Sequence, residues 1–144
     1  MNTLLATTLL NMTLITTVVI VHYEFLIRTS DAIPRLCRHH RPRILLGVLA
    51  ALVAHSVEIW IFGLGYWFMH HSEGFGHLQG NFDGSLLDAA YFSFTTYSTL
   101  GFGDIEPIGL LRYTAGMEAL AGLVLITWSA SFLYVEMQRY WDER

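Results

Sequence analysis

Apolar residues of this chain gather in three long stretches, residues 3–27, 44–69 and 108–136, with shorter polar segments between them. Each stretch is long enough for a helix that crosses about 30 Å of hydrocarbon, which takes roughly 20 residues. A fourth apolar run, residues 86–97, predicts a helix of about 18 Å. Because such a helix reaches only halfway through a bilayer, it must be buried in protein or line water. The pattern predicts an all-α membrane protein with three transmembrane helices and one re-entrant helix.

Composition favours the same class. The chain is 53% hydrophobic and 14% charged, whereas soluble domains carry about 25% charged residues. Its net charge is −4 and no basic stripe runs along a predicted helix face, so we expect membrane lipid and no nucleic acid as a partner. The single cysteine, Cys37, excludes an internal disulfide and a thiolate metal site. We interpret it as a free thiol at the membrane edge.

Arginine predicts the orientation. Residues 28–43 carry five arginines, whereas residues 70–85 carry no Lys or Arg and include Glu73 and Asp83. By the positive-inside rule the first segment is cytoplasmic and the second external. This places the N-terminus outside and the C-terminus in the cytoplasm of a plasma or bacterial inner membrane. The arginines, which we expect to meet anionic lipid, are Arg28, Arg35, Arg38, Arg41 and Arg43.

The tripeptide Gly-Phe-Gly occurs twice, at residues 74–76 and 101–103. The first copy lies in the polar external segment, and we interpret it as a flexible turn. The second follows the half-spanning helix directly, at a depth where lipid offers no partner for backbone carbonyls. Glycine permits positive φ, which lets successive carbonyls point the same way. Four copies of such a row around an axis would replace the water shell of a bare cation.

The hexapeptide Thr99-Leu100-Gly101-Phe102-Gly103-Asp104 resembles the potassium-channel signature, usually Thr-Val-Gly-Tyr-Gly-Asp. The resemblance covers about residues 44–136 and implies a two-helix pore domain, to which the first helix is an addition. It implies a homotetramer that conducts K⁺ passively, with no enzymatic activity and no cofactor other than the transported ion. By resemblance, the residues that bind K⁺ through their carbonyls are Thr99, Leu100, Gly101 and Phe102, with Gly103 shaping the outer mouth.

The resemblance also implies which residues support this filter. The Asp104 side chain would brace it, and Tyr91 is the pore-helix aromatic able to hydrogen-bond Asp104. Phe102 lacks the hydroxyl of the more common Tyr. Thr95 stands where some relatives carry an acidic residue behind the filter. The adjacent Thr96 is also expected to support the filter.

The division of the chain that follows from the resemblance has four parts. They are an extra transmembrane helix (1–27), an Arg-rich connector (28–43), the pore domain (44–136) and a short cytoplasmic tail (137–144). Within the pore domain we expect an outer helix 44–69, an external loop 70–85, a pore helix 86–97, a filter 99–104 and an inner helix 108–136.

Two carboxylates, Glu58 and Glu118, lie deep in apolar helices, with His55 one turn from Glu58. Ionisable groups inside a membrane are costly and suggest function. One interpretation is that Glu118 replaces the missing acid behind the filter, while Glu58 or His55 couples protonation to gating. The other is a protonated carboxyl hydrogen-bonded to a neighbouring helix. For a gating hinge, Gly122 is the candidate and Gly116 its competitor, although glycine also serves close helix packing.

Three histidines of the external loop, His70, His71 and His77, could bind a transition metal or sense pH together with Glu73 and Asp83. Their spacing matches no zinc motif, so solvated loop residues are the alternative.

Other functional classes stay open at this point. A non-selective cation channel would share the fold, and a non-conducting pH or metal sensor could use the buried histidine and glutamate groups. No soluble ligand domain is expected after the last helix, and no helix carries the regularly spaced arginines of a voltage sensor. Ion flux discriminates between these classes.

Overall fold

The computed structural model describes residues 2–36 and 40–141. Three of its helices are long and apolar enough to cross a membrane, which confirms the predicted three-helix plan. Cys37 and Arg38, to which we gave a place at the membrane edge, lie outside the described residues. In chain order the elements are α1 (Asn2–Leu36), α2 (His40–His70), β1 (Gly76–Gly80), α3 (Leu86–Tyr97), β2 (Ile105–Gly109) and α4 (Leu111–Trp141).

The Arg-rich segment 28–43 is more helical than the connector we expected. Helix α1 continues to Leu36 and α2 already begins at His40. Hydropathy marks where the hydrocarbon ends, whereas a helix continues wherever its side chains allow. Arg28 pairs with Glu24 one turn earlier at 3.2 Å, and the Ser30 hydroxyl donates to Glu136 of α4 at 3.2 Å. These contacts favour continuation of α1 past its apolar stretch.

Helix α3 has the bounds that the apolar run predicts. Ser85 is its N-cap, and the Ser85 hydroxyl accepts from the backbone N–H of Asp88 at 3.1 Å. The Asp88 carboxylate in turn accepts from the N–H of Asp83 at 2.9 Å. Hydrogen bonds from Ser85 lower the pKa of the Asp83 carboxyl. The helix start is therefore held by side-chain bonds of Ser85, Asp83 and Asp88 to the backbone.

Helix α3 packs between α2 and α4, and α2 also packs against α1. Tyr66 of α2 meets Phe92 of α3 edge to face, with ring centroids 4.9 Å apart. A Cβ at Gly63 would lie 2.9 Å from the Cα of Ala90, so the two helix backbones come close together there. The half-spanning helix is thus covered by protein on the side that faces α2 and α4, whereas Leu87 and Phe94 are exposed in the single chain.

A two-stranded ribbon corrects two expectations about the external side. Strands β1 and β2 pair antiparallel, with Gly76 opposite Gly109 and Gly80 opposite Ile105. The first Gly-Phe-Gly is therefore not a flexible turn: it enters a strand, and the carbonyl of Phe75 accepts from the N–H of Leu111 at 3.2 Å. The last helix begins at residue 111 and not at 108, because residues 108 and 109 belong to β2.

The first helix is attached to the pore region by buried polar contacts. The Thr114 hydroxyl of α4 donates to the Asn11 side-chain oxygen of α1 at 2.8 Å, and both residues are buried. Such bonds between helices are a common source of attraction inside membranes, where apolar contact alone does not separate helix from lipid.

Candidate functional site

The backbone alternates in handedness along the segment that follows α3. Thr99, Gly101 and Gly103 have positive φ of 57°, 54° and 78°, whereas Leu100 and Phe102 between them do not. Positive φ costs glycine little, and Thr99 is the one non-glycine residue of the described chain that adopts it. Alternating left- and right-handed residues turn successive carbonyls towards the same side. The segment has the backbone geometry that a row of aligned carbonyls requires.

The amide groups of this segment are held by the end of α3. The N–H of Thr99 donates to the carbonyl of Thr96 at 2.9 Å. The N–H groups of Leu100 and Gly101 both donate to the carbonyl of Thr95, at 2.8 and 3.0 Å. The structure thus places both predicted support threonines beneath the segment, where they act through their backbone. The hydroxyl of Thr95 is directed to its own helix, donating to the carbonyl of Phe92 at 2.9 Å.

The carbonyls of the same segment are free. Within residues 2–36 and 40–141, no N–H or hydroxyl donates to the carbonyl of any residue from 99 to 102. The side chains of Leu100 and Phe102 are 59% and 65% exposed in the single chain. An open groove beside the segment is lined by Ala115 and Ala119 of α4. Polar oxygens and apolar side chains are therefore both uncovered here.

Asp104 connects the outer end of the segment to two other elements. Its carboxylate accepts from the hydroxyl of Tyr91 on α3 at 2.8 Å, the bond that the sequence suggested. Its backbone carbonyl accepts from the N–H of Asn81, just after β1, at 2.8 Å. The outer end is therefore attached both to the pore helix and to the ribbon.

Glu118 of α4 is fully buried and joins three helices. The Tyr66 hydroxyl donates to one carboxyl oxygen, and the Ser93 hydroxyl of α3 contacts the other. Ser93 also lies 2.9 Å from the carbonyl oxygen of Ile59, which can only accept. Since a serine hydroxyl has one proton, Ser93 either shares it between these two oxygens or accepts from a protonated Glu118. The contacts join Glu118 to α2 and α3, and both interpretations of its protonation stay predictions.

Glu58 lies in a second buried cluster, which includes residues that sequence reasoning did not connect. Its carboxylate contacts His22 of α1 at 2.8 Å and His55 of α2 at 3.0 Å. The Tyr97 hydroxyl at the end of α3 also donates to it. His22 and Tyr97 were missed because they are 36 and 39 positions away along the chain. The sequence signal for this cluster was His22, a histidine in the middle of an apolar helix.

The two candidate hinge glycines differ in their surroundings. A Cβ at Gly122 would lie 2.3 Å from the carbonyl oxygen of Tyr97, whereas Gly116 has open space. Close packing therefore accounts for glycine at 122, and a hinge there stays a prediction.

Two of the external histidines form hydrogen bonds with backbone groups. The N–H of Leu78 donates to His70 at 3.0 Å, and His71 bonds the carbonyl of Trp67 at 2.8 Å. Within the described residues, the group that could hold a metal ion is His22, His55 and Glu58, so the structure does not gather His77 and its neighbours into such a site.

Comparison with known proteins points to one family. The sequence profile of the ion channel family matches residues 45–139, which include α3, the segment after it and most of α4. An inward rectifier potassium channel of Paramagnetospirillum magnetotacticum is 40% identical over 57 residues, which are 39% of this chain and 19% of that channel. A protein of Rhodopseudomonas palustris named as a potassium channel protein is 37% identical over 59 residues, or 40% of this chain and 14% of that protein. The match thus spans less than a fifth of either relative. No solved structure matches the chain significantly.

Proposed function

Because this chain belongs to the ion channel family, we propose that it conducts K⁺ passively through a filter formed by the backbone of residues 99–103. It is a multi-pass membrane channel and not an enzyme. The observation that carries the proposal is the alternation of positive φ at Thr99, Gly101 and Gly103, together with the free carbonyls of residues 99–102. Carbonyl oxygens in a row replace the hydration shell of K⁺.

The filter is completed by four copies of the chain. One chain supplies one row of carbonyls, and a K⁺ filter has four such rows around its axis. The exposed Leu100 and Phe102 side chains support this assembly, because large apolar groups beside a polar pore need cover from protein. The Thr99 hydroxyl closes the inner ion site, and Asp104 attracts cations at the outer mouth. The mass of the purified assembly, measured by native mass spectrometry, tests the count of four.

The filter end of the chain faces the outside. Five arginines in residues 28–43, against none in residues 70–85, support a cytoplasmic connector and an external loop. The C-terminal end of α3 then points inward from the outer leaflet. Its negative dipole end favours a cation in the centre of the membrane.

Ion flux through the purified protein in liposomes tests the proposal. We expect uptake of K⁺ to exceed uptake of Na⁺ by at least tenfold and to be lost in Gly101→Ala, because φ at residue 101 is positive. Gly84→Ala is the matched control, since φ there is also positive and the space around it is open, but the residue lies outside the filter. Equal uptake of K⁺ and Na⁺ would instead indicate a non-selective cation channel. If verified assemblies take up neither ion, the remaining interpretation is the non-conducting pH or metal sensor.

A further inference from the structure

Three metal-ligating side chains from two helices converge inside the protein. His22 of α1, His55 and Glu58 of α2 each offer one ligand atom, and these atoms lie within 4.8 Å of one another. The side chains of His22 and Glu58 are fully buried, and that of His55 is 15% exposed. The two imidazole rings stack with centroids 5.3 Å apart. The cluster is distinct from residues 99–104 and lies on α2 between α1 and the end of α3.

The cluster lacks a fixed positive charge. Among the described residues the ion-pair partners of Glu58 are the two histidines, which are charged only when protonated. With both imidazoles neutral, a carboxylate stands in the membrane interior with one unit of negative charge, which is costly. Two imidazolium groups stacked on each other would repel. One bound proton or one bound metal ion would offset this negative charge.

We propose that His22, His55 and Glu58 bind one divalent transition-metal ion of the Zn²⁺ type. Two imidazole nitrogens and one carboxylate oxygen are a donor set that proteins use for zinc. The Tyr97 hydroxyl lies 3.0 Å from His55 Nδ1 and donates to the Glu58 carboxylate, so it is placed to orient these two ligands. The other ring nitrogen of His22 lies 3.5 Å from the Ser129 hydroxyl, a contact of the kind that orients a metal-binding imidazole.

An ion would draw the three ligand atoms to a common spacing. Tetrahedral Zn²⁺ with ligands at about 2.0–2.1 Å separates its ligand atoms by about 3.4 Å. The contacts of Glu58 with His22 and His55 are 2.8 and 3.0 Å. These two contacts are made by different oxygens of Glu58, and the three ligand atoms lie within 4.8 Å of one another. Binding therefore requires side-chain rotation that brings one Glu58 oxygen and both imidazole nitrogens to the spacing of a tetrahedral site.

Such an ion would fasten α1 to the pore helix. His22 belongs to the helix that lies outside residues 45–139, the part matched by the family, whereas Tyr97 ends the helix beneath residues 99–103. This inference does not rest on conduction, since binding is measured without ion flux.

Cobalt titration tests the site, because Co²⁺ replaces Zn²⁺ and its tetrahedral complexes absorb visible light. The reference is the full-length protein in detergent, stripped with a chelator, in which four other histidines are replaced by glutamine. The three histidines that remain are His22, His55 and His70, of which only the first two lie together in the cluster. We expect one Co²⁺ per chain with tetrahedral absorption bands, displaced by Zn²⁺. The replaced residues are His39, His40, His71 and His77.

Adding His22→Gln to the reference is expected to weaken Co²⁺ binding at least tenfold and to abolish the rise of the thermal midpoint that Zn²⁺ causes. Glu58→Gln, which keeps the shape of the side chain, is the second variant if His22→Gln does not assemble. X-ray absorption of the Zn²⁺-loaded reference is independent of both variants and should show two imidazole ligands. No Co²⁺ binding by the reference, octahedral bands, unchanged affinity in His22→Gln, or fewer than two imidazoles would overturn the proposal.

Discussion

The backbone at Gly122 lies against the carbonyl of Tyr97, so that a Cβ at residue 122 would stand 2.3 Å from that oxygen. Here the inner helix supports the last turn of the pore helix. We predict that Gly122→Ala forces the two helices apart at a cost of about 1–3 kcal/mol. The thermal midpoint of the assembled protein should fall, whereas Gly116→Ala, with open space around it, should leave the midpoint unchanged. A hinge role alone would instead lower flux without lowering stability.

Removing the hydroxyl of Tyr91 should weaken the outer end of the filter. That hydroxyl donates to the Asp104 carboxylate at 2.8 Å and joins the pore helix to the outer end of the filter. In Tyr91→Phe we expect non-conducting intervals to become at least tenfold more populated in single-channel records, with K⁺ selectivity retained. Tyr113→Phe on α4, outside this contact, is the control. Unchanged intervals would show that Asp104 is held by its backbone alone.

Glu118→Gln is expected to be tolerated. A glutamine amide donates to Ser93 through its NH₂ group and accepts from Tyr66 through its oxygen, as a protonated glutamate does. We predict K⁺ flux within about twofold of the wild type and the same dependence of flux on pH. Glu118→Ala leaves two buried hydroxyls without this partner and should impair assembly. A pH dependence that disappears in Glu118→Gln would show that this carboxyl titrates during gating.

The first Gly-Phe-Gly should prove structural. A Cβ at Gly76 would lie 2.0 Å from the carbonyl oxygen of Ile108 in the paired strand, and φ there is +104°. Gly84 also has positive φ but open space around it. Gly76→Ala should therefore lower the thermal midpoint clearly more than Gly84→Ala. Equal effects of the two substitutions would mean that the ribbon contributes nothing beyond backbone strain.

Cys37 reports the orientation, because it is the only cysteine. If residues 28–43 are cytoplasmic, a membrane-impermeant maleimide should label Cys37 in inside-out vesicles and not in right-side-out cells. Labelling from the outside would reverse the proposed topology.

Elements with strong local signals were predictable. The pore helix has its predicted bounds, since an apolar run begins directly after the cap residue Ser85 and ends before the glycine-rich segment. The positive φ at Gly101 and Gly103 was expected from residue type, because glycine adopts it at little cost. The positive φ of Thr99 was not expected from residue type; it accompanies the hydrogen bonds that the N–H groups of Leu100 and Gly101 donate to the Thr95 carbonyl.

Long-range partners were not predictable. Strands Gly76–Gly80 and Ile105–Gly109 contain glycine and proline and lack the alternation of a strand, so nothing local indicates their pairing. His22 and Glu58 meet because α1 packs against α2, a contact that no spacing within either helix specifies.

The reversal potential across a planar bilayer tests the central claim most directly. The measurement has K⁺ on one side and an equal concentration of Na⁺ on the other. If the carbonyls of residues 99–102 form a K⁺ filter, we expect the reversal potential to lie far from zero, with the sign that a K⁺-selective pore gives. Gly101→Ala should lose this displacement or the current itself. A wild-type reversal potential at zero would contradict the account, because it would mean that the pore passes both ions equally.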